Sequence, residues 1–497
     1  MASTLAQAFA LVFDWQVLGI IMASAMFGLF VGAMPGLTAT MATALLVPVT
    51  FFMPPIPALA AIVTATGMAI FAGDIPAAMM RMPGTPASAA YADESYIMAK
   101  KGQLELNLGV NLVFSAVGGL IGVAFLIVAA PALAELALNF SSFEYFWLAC
   151  LGLGCAIMIG SLDPLKAFMS LIVGLGVGTI GIDPAAGHPR FTFGNVDLMS
   201  GVNFVAVMIG VFAVSELMRG AMTIDQHGHL VQEKVGALFR GLGEVWRRYK
   251  LNFFRGSLIG TFIGALPGAG ADIAAWVSYA VSRKFSKEPE KFGTGHIEGV
   301  VDATSANNAA LAGAWIPALV FGIPGDSITA IVIGVLYMKG MNPGPTVFLQ
   351  NPQLIYAVFI VFILSNLLML PLGYVAIRGA RRLLATPKEI LLPLILLFCI
   401  VGSFAMTNSP YGILLMLVFG VIGWFMEENG FPVAPIILGL VLGELLEQSF
   451  MTSMIKSDGA ILPFFSRPIA GTLGVATLAL LAWSILSAWR GRKLAVS

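Results

Sequence analysis

Long apolar runs, separated by short polar stretches, recur along nearly the whole chain. A helix needs about 20 consecutive apolar residues to cross the core of a bilayer. Runs of that length cover, for example, residues 107–130, 351–377 and 469–489. Other runs, such as 270–283, are too short to cross alone and are predicted to be half-helices or parts of broken helices. The pattern predicts an all-α polytopic membrane protein.

The composition supports this prediction. Of the 497 residues, 58% are hydrophobic and 10% are charged, whereas a soluble chain carries about a quarter charged residues. Lys plus Arg equals Asp plus Glu, 26 against 26, so no basic excess indicates nucleic-acid binding. The three cysteines have no spacing typical of a disulfide framework or a metal site. No glycine-rich phosphate loop with its lysine is present, so we expect no ATPase activity.

Two apolar stretches, at about 75–97 and 314–341, are broken by Pro and Gly. We predict that both are re-entrant hairpins. Non-helical backbone at membrane depth is tolerated only where protein or a water-filled cavity covers it. The hairpins therefore mark the region in which a polar site is expected.

The chain also resembles itself. The segment Gly28–Gly36 recurs as Gly260–Gly268, an offset of 232 residues, with Pro-Gly at the end of both copies. Further on, Ile75-Pro76-Ala77 and Pro83-Gly84 recur at an offset of 241 as Ile316-Pro317-Ala318 and Pro324-Gly325. The second offset also aligns residues 64–67 with 305–308. Two blocks in the same order predict an internal repeat.

The distribution of Lys and Arg predicts the orientation, because cytoplasmic loops carry more of them. Basic residues cluster at 100–101, 219–256, 283–291, 378–388 and 490–493, whereas the loops 131–142, 183–199 and 342–350 hold only Arg190. The C-terminus is therefore expected in the cytoplasm. The loops that follow the two hairpins then lie on opposite sides of the membrane.

The internal repeat and the opposite positions of these two loops together predict two inverted-topology repeats with discontinuous helices, residues 1–220 and 251–497. An amphipathic segment, residues 221–250, is expected to link them at the cytoplasmic interface. Such repeats are typical of secondary transporters. Two open alternatives are a channel, which needs a continuous polar pore, and an intramembrane enzyme, for which Asp74 and Asp326 would be the carboxylate pair.

A Pro-Gly pair ends a helix, since Pro lacks an N–H donor and Gly accepts unusual backbone angles. The next half-helix then offers free N–H groups and a partial positive charge, which suit a carboxylate. Small and polar residues follow all four Pro-Gly pairs. The predicted substrate-binding residues are Pro35, Gly36, Thr38, Thr40, Gly84, Thr85, Ser88, Gly268, Gly270, Gly325 and Ser327.

Polar side chains before and within the hairpins are candidates for a coupling cation, because intramembrane carboxylates and amides are costly unless they bind something. For any single residue, an interhelical hydrogen bond is the alternative, and Asp326 can also cap a helix. Arg81 is either a substrate contact or an interfacial anchor. The predicted cation-binding residues are Thr64, Thr66, Asp74, Ser305, Asn307, Asn308 and Asp326.

The motif Gly32-Ala-Met-Pro35-Gly36, its counterpart Gly264–Gly270 and the two Ile-Pro-Ala…Pro-Gly hairpins resemble the large membrane subunit of tripartite tricarboxylate transporters, the TctA type. The resemblance covers nearly the whole chain. It implies a multi-pass permease of the bacterial inner membrane, which is not an enzyme. The implied partners are a small four-helix-type membrane subunit and a periplasmic solute-binding protein.

The resemblance also implies the cargo. The substrates would be organic acids such as citrate and other di- and tricarboxylates. Uptake would be coupled to Na⁺, or to H⁺, with no other cofactor. By analogy with permeases that have two hairpins, we expect an elevator motion, in which both hairpins slide against a scaffold formed by residues 107–219 and 351–489.

Overall fold

The computed structural model describes residues 2–34, 37–159, 164–183, 187–222, 236, 238–268, 270–384 and 388–496, and nearly all of them are helical. Apolar runs dictate this, because a helix satisfies all its own backbone hydrogen bonds where no water is available. The helices of the first half are α1 (Ala2–Val12), α2 (Trp15–Ala33), α3 (Ala39–Phe51), α4 (Pro55–Ala72), α5 (Asp74–Met80), α6 (Ala92–Lys100), α7 (Leu104–Ala137), α8 (Ser142–Ile159), α9 (Pro164–Gly178), α10 (Phe204–Met208) and α11 (Ser215–Met222).

The second half repeats the alternation of long and short helices. A π-helical turn, Ile209–Val214, joins α10 to α11. The helices of the second half are α12 (Leu242–Gly264), α13 (Gly270–Phe285), α14 (Ile297–Phe321), α15 (Ser327–Met338), α16 (Pro345–Gln350), α17 (Pro352–Leu384), α18 (Lys388–Thr407), α19 (Pro410–Glu428), α20 (Ala434–Lys456), α21 (Pro463–Ser466) and α22 (Pro468–Val496).

One small element departs from the predicted all-α fold. Strands β1 (Gly181–Ile182) and β2 (Pro189–Arg190) form an antiparallel ribbon that pairs Gly181 with Arg190. Seven helical stretches of the described chain are long and apolar enough to cross a membrane, among them Pro55–Met80, Leu104–Ala137 and Pro352–Ala380. The prediction of a polytopic, mainly helical protein is thus confirmed by the length and composition of these helices.

Glycines hold α2 against α4, and α12 against α14. A Cβ atom at Gly28 or Gly32 would overlap the carbonyl oxygen of Ala65 or Ala69. The same holds one repeat later, where Gly260 and Gly264 lie against Ala306 and Ala310. These four pairs are related by the two sequence offsets. The repeat therefore has a structural basis, because only glycine allows the two backbones to approach so closely.

The long helices α7 and α17 each pack against a helix of the opposite repeat. Helix α7 of the first half packs on α14 of the second, and α17 packs on α4. Gly118 and Gly122 of α7 lie directly on the backbone of Ser305 and Ala309. Each broken helix is thus packed by the long helix of the opposite half.

The helix ends that precede the second and fourth Pro-Gly pairs are built alike. The stretch ending at Met80 finishes with Arg81 in the left-handed conformation, φ 57°, and α14 finishes with Gly322, φ 67°. The N–H of Met82 then bonds to the carbonyl of Pro76, and that of Ile323 to the carbonyl of Pro317. A residue in the left-handed conformation ends many helices, and here it does so at equivalent positions of the two repeats.

The predicted bounds of the second hairpin need correction. Residues 314–321 are not a separate arm but the last two turns of α14, which continues through Pro317. Proline is tolerated there because neighbouring helices protect the backbone it disturbs. Each hairpin is therefore a long helix, a break and a short helix, with 12 residues in α15.

The segment between the halves is described only in part. Residues 223–235 and 237, which hold much of the predicted amphipathic face, lie outside the described residues. From Leu242 the chain is helical, with a kink at Tyr249, φ −117°, and it continues into α12. The domain bounds at 220 and 251 remain predictions.

Candidate functional site

The same hydrogen-bond motif follows both breaks: in the turn before the 3₁₀ helix Ser88–Tyr91, which precedes α6, and at the start of α15. The side chains of Thr85 and Ser88 each accept a hydrogen bond from the other's backbone N–H, at 3.2 Å. Asp326 and Thr329 make the same reciprocal pair, at 2.7 and 2.9 Å. This is a capping box, and the two boxes are 241 residues apart. We call residues 81–88 the first cap loop and residues 322–329 the second cap loop.

Each cap loop lies against the glycine helix of its own repeat. A Cβ atom at Gly84 would overlap the carbonyl of Gly32, and one at Gly325 would overlap the carbonyl of Gly264. Gly32 and Gly264 come three residues before the first and third Pro-Gly pairs. Within each half, the two breaks therefore lie side by side.

The third break joins the two halves. Gly270, at the start of α13, contacts the side chain of Asp326 in the second cap loop. Two residues later, the carboxylate of Asp272 accepts a hydrogen bond from the backbone of Ala87 in the first cap loop. All four breaks are thus connected by direct contacts.

The predicted substrate-binding residues fall at these helix starts. Thr38 caps α3, with its Oγ1 accepting from the N–H of Met41 at 3.1 Å, and Thr40 is half-buried in the first turn. Ser327 occupies the first turn of α15, and Gly268 and Gly270 have φ values of 82° and 59°. Pro35 and Gly36 lie outside the described residues.

Asp74 lies in the most buried polar cluster near the first cap loop. Its side chain is 1% exposed. Tyr91 donates a hydrogen bond to Oδ1 at 2.5 Å, and Thr304 lies 3.4 Å from Oδ2. Tyr91 is in turn bonded to Asn307. We call Asp74, Tyr91, Thr304 and Asn307 the Asp74 cluster. The cluster joins the first hairpin to α14. Its carboxylate, hydroxyl and amide oxygens are ligands that suit a hard monovalent cation.

The other predicted cation residues do not join this cluster. Thr66 bonds to Thr43 at 2.9 Å, and Ser305 bonds to the carbonyl of Asp302 within its own helix at 3.0 Å. Asn308 donates to Ser115 of α7 at 2.8 Å. Thr64 is fully buried, with no partner for its hydroxyl among the described residues. For Thr66, the structure has the interhelical bond that was the alternative, whereas the bond of Ser305 to Asp302 lies within one helix.

The acidic residues of the second repeat lie at helix starts. Asp326 is the N-cap of α15, and its carboxylate also accepts from the Thr329 hydroxyl at 2.7 Å. Asp272 is solvent-accessible in the first turn of α13, close enough for its negative charge to repel that of Asp326. Arg81 is exposed and pairs with Asp93 at 2.6 Å. The arginine therefore points away from the Asp74 cluster.

Two residues of this region escaped the sequence analysis. No periodicity or motif in the sequence marks Tyr91. It matters only because the fold brings its hydroxyl next to the carboxylate of Asp74. Glu94 of α6 is 1% exposed and accepts hydrogen bonds from Tyr279 at 2.9 Å and from the N–H groups of Gly295 and His296 at 2.6 and 2.7 Å. It fastens the first hairpin to the loop before α14.

A cleft of about 420 Å³ lies away from the breaks, against the C-terminal half of α15. It is lined by Arg190, Tyr337, Glu444 and Glu447, among others. Arg190 is engaged by Glu447 through two bonds of 2.6 and 3.0 Å. The cleft therefore offers net negative charge, which does not suit an organic acid.

A multi-pass helical membrane protein, whose broken helices meet around buried polar groups, is the class that this geometry defines. The sequence matches the family described as "Tripartite tricarboxylate transporter TctA family" over residues 18–438. The chain belongs to this family, which comprises transporters rather than enzymes. It is thus a subunit of a tripartite system that includes other subunits.

Two relatives come from Agrobacterium vitis. The "Uncharacterized 52.8 kDa protein in TAR-I ttuC' 3'region" is 34% identical over 479 residues, which cover 96% of this chain and 94% of that protein. The "Uncharacterized protein in TAR-II ttuC' 3'region" is 36% identical over 214 residues, which cover 43% of this chain and 88% of that protein. No solved structure matches the chain.

Proposed function

We propose that this chain is the permease subunit of a secondary active transporter that imports organic di- and tricarboxylates such as citrate. Uptake is driven by a cation gradient, Na⁺ in preference to H⁺, across the bacterial inner membrane. A periplasmic solute-binding protein delivers the substrate, and a small four-helix-type membrane subunit completes the complex. The Asp74 cluster, beside four connected helix breaks, carries the proposal.

The charges at the breaks suggest how substrate and cation divide the site. The first repeat offers hydroxyls at its helix starts, from Thr38, Thr40, Thr85 and Ser88. At the positions that match Thr40 and Thr85, the second repeat carries Asp272 and Asp326, which repel an anion. A substrate carboxylate is therefore best accommodated at the start of α3, beside Thr38 and Thr40, where the first N–H groups of the helix and its dipole favour an anion.

The cation belongs with the buried carboxylate. Asp74 has no basic partner among its described contacts, and an uncompensated charge at this depth is costly. A Na⁺ ion bound by Asp74, Thr304 and Asn307 would neutralise it. Binding of the cation next to the first cap loop would also favour the substrate anion, which couples the two.

The inverted topology, the cytoplasmic C-terminus and the elevator motion belong to the same proposal. The close packing of α7 on α14 and of α17 on α4 favours a different division between moving domain and scaffold from the one expected from the sequence. In that division α7 and α17 move with the broken helices, and the scaffold consists of α8–α11 and α18–α22. Helices α8, α9, α20 and α22 pack on one another, as a separate scaffold requires.

The test is uptake of labelled citrate and other organic acids into vesicles that contain the complete complex and its binding protein. Saturable uptake that depends on a Na⁺ gradient is expected. Asp74→Asn keeps the shape and the Tyr91 bond but removes the charge, so we expect cation-driven uptake to fall by at least about tenfold, equivalent to 1.4 kcal/mol. Asp93→Asn, at an exposed ion pair, is the control.

Two results would contradict the proposal. Flux that does not saturate and ignores the Na⁺ and H⁺ gradients would indicate a channel. Normal gradient-driven uptake by folded Asp74→Asn would remove Asp74 from coupling.

A further inference from the structure

A strip of polar side chains runs along one face of α7. Asn107, Asn111 and Ser115 are four residues apart, so they follow one another along the helix over about 12 Å. All three are buried, with exposed fractions of 0%, 0% and 1%. The sequence analysis assigned them no role.

Most hydrogen-bonding atoms of the strip are unpaired within the described part of the chain. Asn107 accepts from Ser95 at 3.3 Å, but its Nδ2 has no partner. Neither Nδ2 nor Oδ1 of Asn111 has one. At the inner end, Asn308 donates to Ser115 at 2.8 Å, and its Oδ1 is unpaired. The strip thus has free donors and free acceptors.

Apolar side chains close both flanks of the strip. Val110 and Phe114 belong to a cluster with α12 and α14, whereas Leu108 and Leu112 belong to one with α2, α5 and α17. Buried side-chain amides nearly always have a hydrogen-bond partner. Since the flanks supply none, the partner must lie along the strip itself.

The two ends of the strip connect distinct regions. One end follows residues 101–103, which are exposed. The other ends at Asn308, whose neighbour Asn307 is bonded to Tyr91 of the Asp74 cluster. The strip therefore spans α7 between the exposed residues 101–103 and the immediate neighbour of the Asp74 cluster.

We propose that this strip is a hydrated track along which the monovalent coupling cation passes between the solvent at residues 101–103 and the Asp74 cluster. Water both donates and accepts, so it satisfies the amides of Asn107, Asn111 and Asn308 together. Amide and hydroxyl oxygens can also replace part of the hydration shell of a passing cation. The role of the track rests on the proposed function, but its hydration does not.

Cysteine accessibility tests the hydration directly. In full-length protein with Cys150, Cys155 and Cys399 replaced by Ser, Asn111→Cys is compared with Leu112→Cys, its fully buried neighbour. A small water-soluble methanethiosulfonate reagent should modify the cysteine at 111 about tenfold faster or more, since thiol reactivity follows solvent access. Equal, slow modification at 111 and 112 would show a dry strip and overturn the proposal.

Uptake tests the passage of the cation. Asn111→Leu should lose much of its cation-driven uptake rate while keeping the wild-type KM for the carboxylate. A folded Asn111→Leu protein with a normal rate would overturn the role of the track. If the wild-type complex transports no organic acid, the proposed function fails, and the labelling result still decides the hydration.

Discussion

The two repeats share their backbone devices and differ in their polar side chains. Both have glycines between paired helices, a left-handed helix end and a capping box at equivalent positions. Yet Asp74 corresponds to Trp315, and Tyr91 to Val332. The repeated features build the fold, and the chemistry lies where the copies have diverged.

Both repeats contribute diverged residues to the Asp74 cluster. Asp74 and Tyr91 come from the first repeat, whereas Thr304 and Asn307 come from the second, where the first repeat has Val63 and Thr66. Each repeat thus supplies polar groups that the other has lost or altered. The Asp74 cluster is therefore asymmetric, so the proposed function has one cation site rather than two.

The largest effect is expected at the shared glycines. Gly32→Leu and Gly264→Leu would each push a side chain into a backbone carbonyl, at a cost of about 3 kcal/mol or more. Both variants should lose monodisperse, folded protein, measured by size-exclusion chromatography and thermal unfolding. Gly19→Leu, in the same helix as Gly32 but in open space, should behave as wild type. Tolerance at only one of the two glycines would show that the repeats pack differently.

Replacing a diverged residue by its counterpart from the other repeat should change only the dependence of uptake on the cation. Thr304→Val installs the residue of the first repeat and removes one oxygen from Asp74, so we expect about tenfold weaker dependence on the cation, or 1.4 kcal/mol. The cation concentration that gives half-maximal uptake measures it. The reverse change, Val63→Thr, should leave that concentration unchanged. An effect of Val63→Thr equal to that of Thr304→Val would contradict the asymmetry.

The capping boxes should be interchangeable in stability. Asp326→Ala removes the N-cap of α15 and should cost about 1 kcal/mol. Asp326→Thr installs the cap of the first repeat and should recover most of this loss in thermal unfolding. If Asp326→Thr is as unstable as Asp326→Ala, the carboxylate has a further structural role.

At the helix ends, a loss of similar size is expected in the second repeat and none in the first. Gly322→Ala forces a side chain into the left-handed region beside Pro343 and should destabilise by about 1 kcal/mol. Arg81→Gly relieves the same backbone restriction in the first repeat, so its unfolding temperature should not fall. A clear loss in Arg81→Gly would instead assign stability to its pair with Asp93.

Some of the site was predictable because its signals are local. Pro-Gly pairs and capping residues act within a few positions of the chain, so Thr38 and Asp326 were found at helix starts and Thr85 in the turn after a break. Tyr91 and Asn111 were not found, because their importance depends on which helices pack against them. The arm predicted to begin at residue 314 was wrong because α14 continues through Pro317 inside a packed bundle.

The sequence by itself determined that the chain forms apolar helices, that it repeats, and that it breaks at four Pro-Gly pairs. These follow from hydrophobic transfer and backbone sterics, which are properties of short segments. Only the tertiary structure decided that α7 packs on α14 and that Asp74 meets Tyr91, Thr304 and Asn307. Most of these contacts join residues from different halves of the chain, and they depend on how close two backbones can come, which no local pattern records.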